Sequence, residues 1–251
     1  MVRIATIEIM TTVVLLRHGR TQANASGTLA GRSAGVGLDE VGQRQAAAAA
    51  ERLAGAPIRA VVSSPLQRCR QTAAVVAGRH DGLAPVTHAG LVECGYGDWT
   101  GRPLKELAKD PLWRVVQEQP SAVRFPGGES MIEMAARAQQ AIRDLDVSLA
   151  ADHGPDAAWV AVSHGDVIKA ILAEALGMHL DSFQRILVDP ASISIVRYTD
   201  ARPYVVGVNT TAGGLVEVLT PPKRSRGSRR RRTRAADDAP VGGGLGSHGG
   251  R

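Results

Sequence analysis

Short apolar runs alternate with helix-forming segments along the first four-fifths of the chain. Residues 13–16 are a continuous apolar run that predicts a buried strand. Residues 58–63 have the β-branched density of a short buried strand, and residues 159–163 predict another apolar strand. The spacing of apolar residues and the density of good helix formers predict helices over residues 40–54, 66–77, 104–118, 129–150 and 167–176. Residues 193–198 and 204–208 flank a short turn and predict an antiparallel pair of strands.

Strands alternating with helices indicate an α/β fold of three layers, with a mostly parallel central sheet between helices. Ligands of such folds bind at the carboxyl ends of the strands. Residues 20–37 follow the first strand, are rich in Gly, Ser, Thr, Ala and Asn, and lack apolar periodicity, so we expect a long functional loop there.

Charge is distributed unevenly along the chain. The 251 residues carry a net charge of +6, but residues 221–251 hold nine Lys and Arg against two acids, so the remainder is close to neutral. We therefore divide the chain into an N-terminal extension at 1–11, a catalytic domain at 12–220, and a basic Arg/Gly-rich tail at 221–251. The tail lacks core-forming residues and is expected to be disordered. The sequence leaves open whether translation starts at Met1 or Met10.

Several classes of protein are disfavoured by composition. Two cysteines do not make a disulfide framework, no apolar run approaches a membrane span, and no secretion signal is visible, which favours a cytoplasmic protein without membrane contact. The histidines show no metal-binding spacing, so neither metal nor cofactor is expected. A formal GxGxxG at 244–249 has no strand before it and no helix after it, and is not taken as a dinucleotide site.

Cationic and imidazole side chains follow three of the predicted strands. Arg17-His18-Gly19 follows the strand at 13–16, and Ser163-His164-Gly165 lies at the end of the strand at 159–163. Ser63-Ser64-Pro65 leads from the strand at 58–63 to Arg68. The transfer of a phosphoryl group requires cations to hold its oxygens and a nucleophile in line with the leaving group. Glycine after each histidine lets the backbone pass close to a bound anion. The pattern predicts a phosphoryl-transfer site at one edge of the sheet.

Five motifs in order resemble those of the histidine phosphatase superfamily, which includes phosphoglycerate mutases and broad-specificity phosphatases. They are LLRHG at 15–19, SSPLQRCRQTA at 63–73, LVE at 91–93 followed by GDWTG at 97–101, PGGES at 126–130, and SHG at 163–165. The resemblance extends from about residue 12 to 210 and implies a phosphoglycerate mutase-like fold.

The resemblance also implies the role of each site residue. His18 attacks phosphorus and becomes phosphohistidine, while Arg17, Arg68 and His164 hold the phosphoryl oxygens. Attack requires a neutral His18, and we expect His164 to be cationic or a hydrogen-bond donor. The other residues implied are Glu93 as the proton donor to the leaving group, and Asn24, Gly31 and Gly165 in the phosphate-binding site.

Both a phosphatase and a phosphomutase fit these motifs. Mutases of the family carry Thr-Gly where this chain has Ala30-Gly31 and paired arginines where it has Trp113-Arg114-Val115, so hydrolysis of a small phosphorylated metabolite is favoured. The chain also resembles the alpha-ribazole phosphatase branch. Candidate contacts for the rest of a substrate are Arg32, Arg102 and Arg114.

The tail suggests an alternative function. Residues Arg229–Arg232 could give weak, non-specific and salt-sensitive contact with nucleic acid, although no aromatic residues are present there to stack bases. A solubilising tail is the simpler interpretation, and truncation after Thr220 is then expected to leave melting temperature and turnover nearly unchanged. Cys69 and Cys94 each adjoin a candidate catalytic residue, so oxidation could disturb the site, but two reduced cysteines that serve packing are the favoured interpretation. The sequence leaves open whether the protein forms a homo-oligomer.

Overall fold

The computed structural model of the chain describes residues 11–213 and 241–242. The strands are β1 (Thr12–Arg17), β2 (Ile58–Ser63), β3 (Val86–Thr87), β4 (Ala158–Ser163), β5 (Ile193–Tyr198) and β6 (Pro203–Thr210). The α-helices are α1 (Gln22–Ser26), α2 (Glu40–Leu53), α3 (Gln67–Ala77), α4 (Leu104–Leu107), α5 (Pro111–Glu118), α6 (Met131–His153) and α7 (Gly165–Ala175).

The six strands form one mixed sheet in the order β3-β2-β4-β1-β5-β6. Strands β3, β2, β4 and β1 are mutually parallel, and β5 pairs antiparallel with both β1 and β6. The predicted mostly parallel sheet and the predicted antiparallel pair at its edge are both confirmed.

Strand β1 shows why its sequence is continuously apolar. Val13 and Leu15 belong to the hydrophobic cluster that includes residues of α6 and α7, whereas Val14 and Leu16 belong to the cluster built with α2 and α3. Successive side chains of a strand point to opposite faces of the sheet, so a strand with helices on both faces needs apolar residues at every position. The three-layer architecture is confirmed.

The catalytic motifs meet where β1, β2 and β4 end. Arg17 pairs with Ser163, and Ser63 pairs with Val162, so the three strands reach their carboxyl ends in step. Beyond the strands, the backbone N–H of His18 donates to the carbonyl of Ser163 over 3.1 Å. This register places the residues that follow each strand side by side.

Local structure differs from the sequence predictions in three places. The single helix predicted over 104–118 is wrong, because Asp110 caps a new helix that starts at Pro111 and Pro disfavours continuation from the preceding turn. The loop predicted at 20–37 contains α1, which Thr21 caps. The two-residue strand β3 was not predicted; it is too short to show a periodic pattern.

The predicted chain divisions also need adjustment at two points. Thr11, placed in the extension, is fully buried and donates a hydrogen bond to Asp146, so it belongs to the domain. Val241 and Gly242, placed in the tail, pack against the domain: Val241 is 2% exposed, and Gly242 donates a hydrogen bond to Asp166. The other residues of the predicted extension and tail lie outside the described part of the chain.

Candidate active site

Two buried histidines form the centre of the site. His18 follows β1 and His164 follows β4; they are 2% and 0% exposed, and their ring centroids are 5.2 Å apart. Both belong to the predicted set, and the parallel pairing of β1 with β4 brings them together.

The hydrogen bonds of His18 define its tautomer. Nε of Arg68, which can only donate, lies 3.2 Å from Nε2 of His18, and Nδ1 of His18 lies 2.7 Å from the carbonyl oxygen of Gly19. Nε2 therefore carries the lone pair, and Nδ1–H donates to Gly19. Burial, then the charges of Arg68 and Arg17, hold the pKa of His18 well below its usual value. His18 is therefore a neutral imidazole with an unprotonated Nε2, the form that attack on phosphorus would require.

Arg17 and Arg68 supply buried positive charge that acts on His18. Nη1 of Arg17 donates to the carbonyl of Val188 over 2.8 Å, and Nη2 of Arg68 donates to the carbonyl of Gly31 over 2.8 Å. Burial lowers the pKa of Arg17 to about 10, which leaves it charged at neutral pH. Nη1 of Arg68 is buried without a hydrogen-bond partner among the described residues, so it retains a donor for an anion.

His164 takes the second of its two expected forms, a hydrogen-bond donor. Nη2 of Arg68 lies 3.2 Å from Nδ1 of His164, so Nδ1 accepts, and Nε2–H donates to Oγ of Ser64 over 2.8 Å. Burial and the charge of Arg68 hold the pKa of His164 well below its usual value, and the ring is neutral. Of the two alternatives expected, the structure has the donor, at Nε2, on a neutral ring.

Glu93 approaches His164 at Nδ1, the ring nitrogen that Arg68 also approaches. Its Oε2 is 3.8 Å from Nδ1 of His164, and its Oε1 accepts from the backbone N–H of Cys94 over 3.0 Å. The side chain is almost fully buried, and burial, with a further contribution from Asp166, raises its pKa to about 7. A carboxyl group with this pKa is protonated in a large fraction of molecules at neutral pH, as a general acid requires.

A network of charged side chains holds the loop that carries Glu93. Arg137 of α6 donates to the carbonyls of Gly90 and Val92 over 2.7 and 3.0 Å, and Arg32 donates to the carbonyl of Glu93 over 2.7 Å. Glu129 of the PGGES motif accepts from both arginines and from the backbone of Gly95. Glu129 therefore helps to hold the loop that carries Glu93. The family resemblance alone assigns no role to the PGGES motif.

Glycine in the RHG motif has a packing function. A Cβ on Gly19 would lie 2.4 Å from the carbonyl oxygen of Gly42, and a Cβ on Gly42 would lie 2.0 Å from that of Arg20. The backbone of helix α2 therefore packs directly against the backbone of Gly19 and Arg20, with no space for a side chain between them. The sequence predicts that glycine follows His18 because an anion binds close to the backbone. In the structure, the atoms that exclude a side chain at Gly19 belong to Gly42 of α2.

One pocket is lined by five of the eight predicted site residues. Besides His18, Arg68 and Glu93, it is lined by Asn24 and Gly31 from the predicted set, and by Thr21, Thr28, Ala30, Leu104, Val241 and Gly242. Oδ1 of Asn24 accepts from the backbone and hydroxyl of Thr21, which orients its side chain at the pocket. Arg17, His164 and Gly165 are buried around the pocket without lining it. Thr28, Leu104 and Val241 carried no sequence signal, because ordinary uncharged residues become pocket lining only through folding.

The three arginines considered for the substrate's remainder do not join this pocket. Arg32 is engaged with Glu93 and Glu129, and Arg102 is exposed. Arg114 on α5 has a side chain that is 77% exposed and lies 3.8 Å from Glu118.

Cysteine chemistry is suppressed by burial. Cys69 and Cys94 are free and buried, and burial raises the pKa of Cys69 to about 12 and that of Cys94 further. A thiol in this state is a poor nucleophile and resists oxidation. Packing is therefore the better account of both residues.

Neither a cluster of metal-binding side chains nor a membrane-spanning helix is found in the described ranges. No group of three or more His, Cys, Asp or Glu side chains at 11–213 and 241–242 could hold a metal ion. In the same ranges, no helix is long and apolar enough to cross a membrane.

Comparison with known proteins identifies the class to which this fold and site belong. The family described as the histidine phosphatase superfamily (branch 1) matches residues 13–211. The chain belongs to this superfamily.

Particular relatives are similar over most of the chain. The bifunctional protein Rv2228c of Mycobacterium tuberculosis is 39% identical over 204 residues, which cover 80% of this chain and 54% of that protein. The chain thus spans about half the length of that relative. A probable phosphoglycerate mutase GpmB of Yersinia pestis is 34% identical over 194 residues, covering 76% of this chain and 87% of that protein.

Among solved structures, the mycobacterial glucosyl-3-phosphoglycerate phosphatase Rv2419c in complex with VO3 superposes with a TM-score of 0.72. It is 30% identical, and the match covers 80% of this chain and 99% of that one. A phosphoserine phosphatase mutant from Entamoeba histolytica in complex with phosphoserine superposes with a TM-score of 0.70 at 25% identity, covering 80% of this chain and 98% of that one.

Proposed function

We propose that the protein is a phosphomonoester hydrolase that acts through a phosphohistidine intermediate on a small phosphorylated metabolite. The observation that carries the proposal is the hydrogen bond from Nε of Arg68 to Nε2 of His18. This bond supports the proposal because Nε2, the nitrogen proposed to attack, is unprotonated and adjoins a cation that has a further donor available in the same buried site.

The reaction begins with attack of Nε2 of His18 on phosphorus. The bond from phosphorus to the ester oxygen breaks, and Glu93 gives its proton to the leaving oxygen, which departs as the alcohol. Arg68 and Arg17 stabilise the negative charge on the equatorial oxygens of the phosphoryl group. Nδ1–H of His18 remains bound to the carbonyl of Gly19, which keeps the ring oriented.

Water completes the cycle. The carboxylate of Glu93 takes a proton from water, the resulting hydroxide oxygen bonds to phosphorus, and the bond to Nε2 of His18 breaks. Inorganic phosphate leaves, and both His18 and Glu93 return to their starting protonation states. The proposed steps use side chains of this chain alone, and the neutral His164 contributes a fixed dipole through its bond to Ser64.

Hydrolysis is favoured over mutase activity by the surroundings of the pocket. A mutase has to hold a second acidic group, yet the residues beyond the phosphate-binding set are uncharged: Thr28, Ala30, Leu104, Val241 and Gly242. Arg114, offered by the sequence for this purpose, lies on the exposed face of α5. The phosphatases named among the solved relatives are in accord with this choice.

Other parts of the proposal rest on the sequence. A cytoplasmic location accords with two free, buried thiols. Nucleic-acid contact through Arg229–Arg232 concerns residues outside the described part of the chain and stays a prediction, as does a homo-oligomer.

The proposal is tested by trapping the intermediate. Mixing the enzyme with a panel of phosphomonoesters and quenching in alkali should reveal an alkali-stable, acid-labile phosphoryl group on His18 by peptide mass spectrometry. His18→Ala should lose the adduct and at least about 10³-fold in turnover, as nucleophile removal does elsewhere. His153→Ala, on the exposed end of α6, should retain both. Turnover by His18→Ala at the wild-type rate would refute the mechanism, and isomerisation of 3-phosphoglycerate without phosphate release would favour the mutase.

A further inference from the structure

Two residues from the far end of the chain line the catalytic pocket. Val241 and Gly242 stand in the same lining as His18, Arg68 and Glu93, although more than 140 positions separate them from these residues in sequence. Val241 is 2% exposed and belongs to the main hydrophobic cluster, together with Leu29 and Tyr96. Burial of the valine side chain stabilises this contact because it removes apolar surface from water.

A buried carboxylate anchors this segment. Oδ2 of Asp166 accepts one hydrogen bond from the hydroxyl of Tyr96 over 2.7 Å and a second from the backbone N–H of Gly242 over 2.9 Å. Asp166 is fully buried, and its Oδ1 lies 3.5 Å from Nζ of Lys169. Hydrogen bonds to a charged, buried acceptor are stronger than those between neutral groups.

The conformation at the anchor requires glycine. Gly242 has a φ of 71°, in the left-handed region, and a Cβ there would lie 2.8 Å from Cδ1 of Leu29. Proline at this position would remove the N–H that Asp166 accepts and would impose a negative φ. The docked geometry is thus specific to the residue present.

The position of the segment relative to the charged groups suggests its role. Cations and imidazoles must hold the phosphoryl group, so the alcohol part of a substrate is left with the uncharged lining. Val241 and Gly242 belong to that lining together with Leu104 and Ala30. A wall fixed at this place limits the width available to the leaving group.

We propose that Val241 and Gly242, held by Asp166, form a wall of the active site that restricts the size of the substrate's leaving group. This proposal rests on the proposed function in identifying which side of the pocket receives the alcohol. The wall acts as a specificity determinant and takes no part in bond making or breaking.

The experiment uses the full chain with two variants that release the wall, Gly242→Pro and Val241→Ala. The matched control is Gly82→Pro, since Gly82 also has a positive φ, of 76°, but no atom within 4 Å of an added Cβ. Kd values of phenylphosphonate and 1-naphthylphosphonate, which differ in width and cannot be hydrolysed, are measured by calorimetry. The kcat/KM values of the corresponding phosphate esters are measured beside them. Hydrogen exchange at the amide of residue 242 is followed in wild type and Val241→Ala.

The amide of Gly242 should be protected in wild type and should exchange at least about tenfold faster in Val241→Ala, because weaker docking raises the open population. Both variants should improve naphthyl over phenyl probes by roughly tenfold, the range in which a pocket discriminates by size. The control should leave this ratio unchanged.

Three outcomes would overturn the wall: an unprotected amide in wild type, an unchanged probe ratio in both variants, or equal tightening of both probes, which would mean occlusion of the whole site. If the phosphonate ratio shifts as expected while wild type hydrolyses no phosphomonoester, the proposed function fails and the wall stands.

Discussion

Nε of Arg68 donates a hydrogen bond to Nε2 of His18 over 3.2 Å, so the attacking atom of the proposed mechanism is unprotonated and adjoins a cation. Arg68 also reaches Nδ1 of His164 and the carbonyl of Gly31. One guanidinium thus connects three of the segments that form the phosphate site. Before Nε2 can attack phosphorus, its hydrogen bond with Arg68 must break, because that bond occupies the lone pair.

Replacing Glu93 by Gln removes the proposed acid while keeping its size. We expect kcat for alkyl phosphates to fall by roughly 10²–10⁴-fold, the usual contribution of general acid catalysis. The fall for nitrophenyl phosphate should be much smaller, because nitrophenolate leaves without protonation. Steady-state kinetics on both substrates measure the difference, and equal losses on both would remove Glu93 from this role.

The pH dependence of kcat/KM for an alkyl phosphate should follow Glu93 on its alkaline side. The group must be protonated to donate, and its pKa is raised to about 7, so activity should decline as pH rises through that value. His18 must be neutral, and its pKa lies well below the usual value of about 6.5, so the acidic decline should begin well below pH 6.5. A profile measured from pH 4 to 9 checks both limbs. In Glu93→Gln the alkaline limb should disappear, and its survival there would assign it to another group.

Arg137→Lys should act on catalysis through the loop that carries Glu93. Lysine cannot reproduce the two bonds to Glu129 together with those to the carbonyls of Gly90 and Val92. We expect kcat for alkyl phosphates to fall by about 10-fold to 10²-fold, with a smaller loss for nitrophenyl phosphate, because misplacement of a catalytic group affects the step that needs it.

The control for this variant is Arg124→Lys, at the exposed ion pair with Glu133, which should change neither value measurably. An equal loss on both substrates in Arg137→Lys would indicate a general structural effect instead of positioning of the acid.

Truncation after Thr220 was expected from the sequence to leave the protein unchanged, and the described contacts of Val241 and Gly242 revise that expectation. The truncated chain loses a buried valine and a hydrogen bond to a buried carboxylate. We expect its melting temperature to drop by a few degrees, because about 1 kcal/mol corresponds to roughly 2–4 °C in a domain of this size. Activity toward wide aryl phosphates should rise relative to phenyl phosphate. Calorimetry and the two rates, compared with the intact chain, decide between the expectations.

The sequence by itself determined the layered α/β architecture and which residues are the candidates for the reaction. Apolar runs such as 13–16 are local signals, since a strand between two helical layers must be apolar throughout. His18, Arg68 and His164 could be grouped because each follows a strand, and the carboxyl ends of parallel strands meet at one edge.

Only the tertiary structure decided the protonation of those groups. The neutral state of His164 depends on how Arg68 approaches it and on how deeply both are buried, and the sequence contains neither quantity. The raised pKa of Glu93 likewise comes from burial and from Asp166, which lies 73 positions away in the chain. Desolvation and charge proximity are properties of the folded packing, so a family motif can name a residue without giving its charge.

The same limit applies to Val241 and Gly242. Composition predicts a tail without a core of its own, because low apolar content cannot offset the entropy of ordering a chain by itself. Two residues of that tail are nevertheless held by the domain: Gly242 by a hydrogen bond to Asp166, and Val241 by the hydrophobic cluster that includes Leu29. Local sequence reports whether a segment can fold alone, whereas contacts with a preformed surface are decided only when the whole chain is folded.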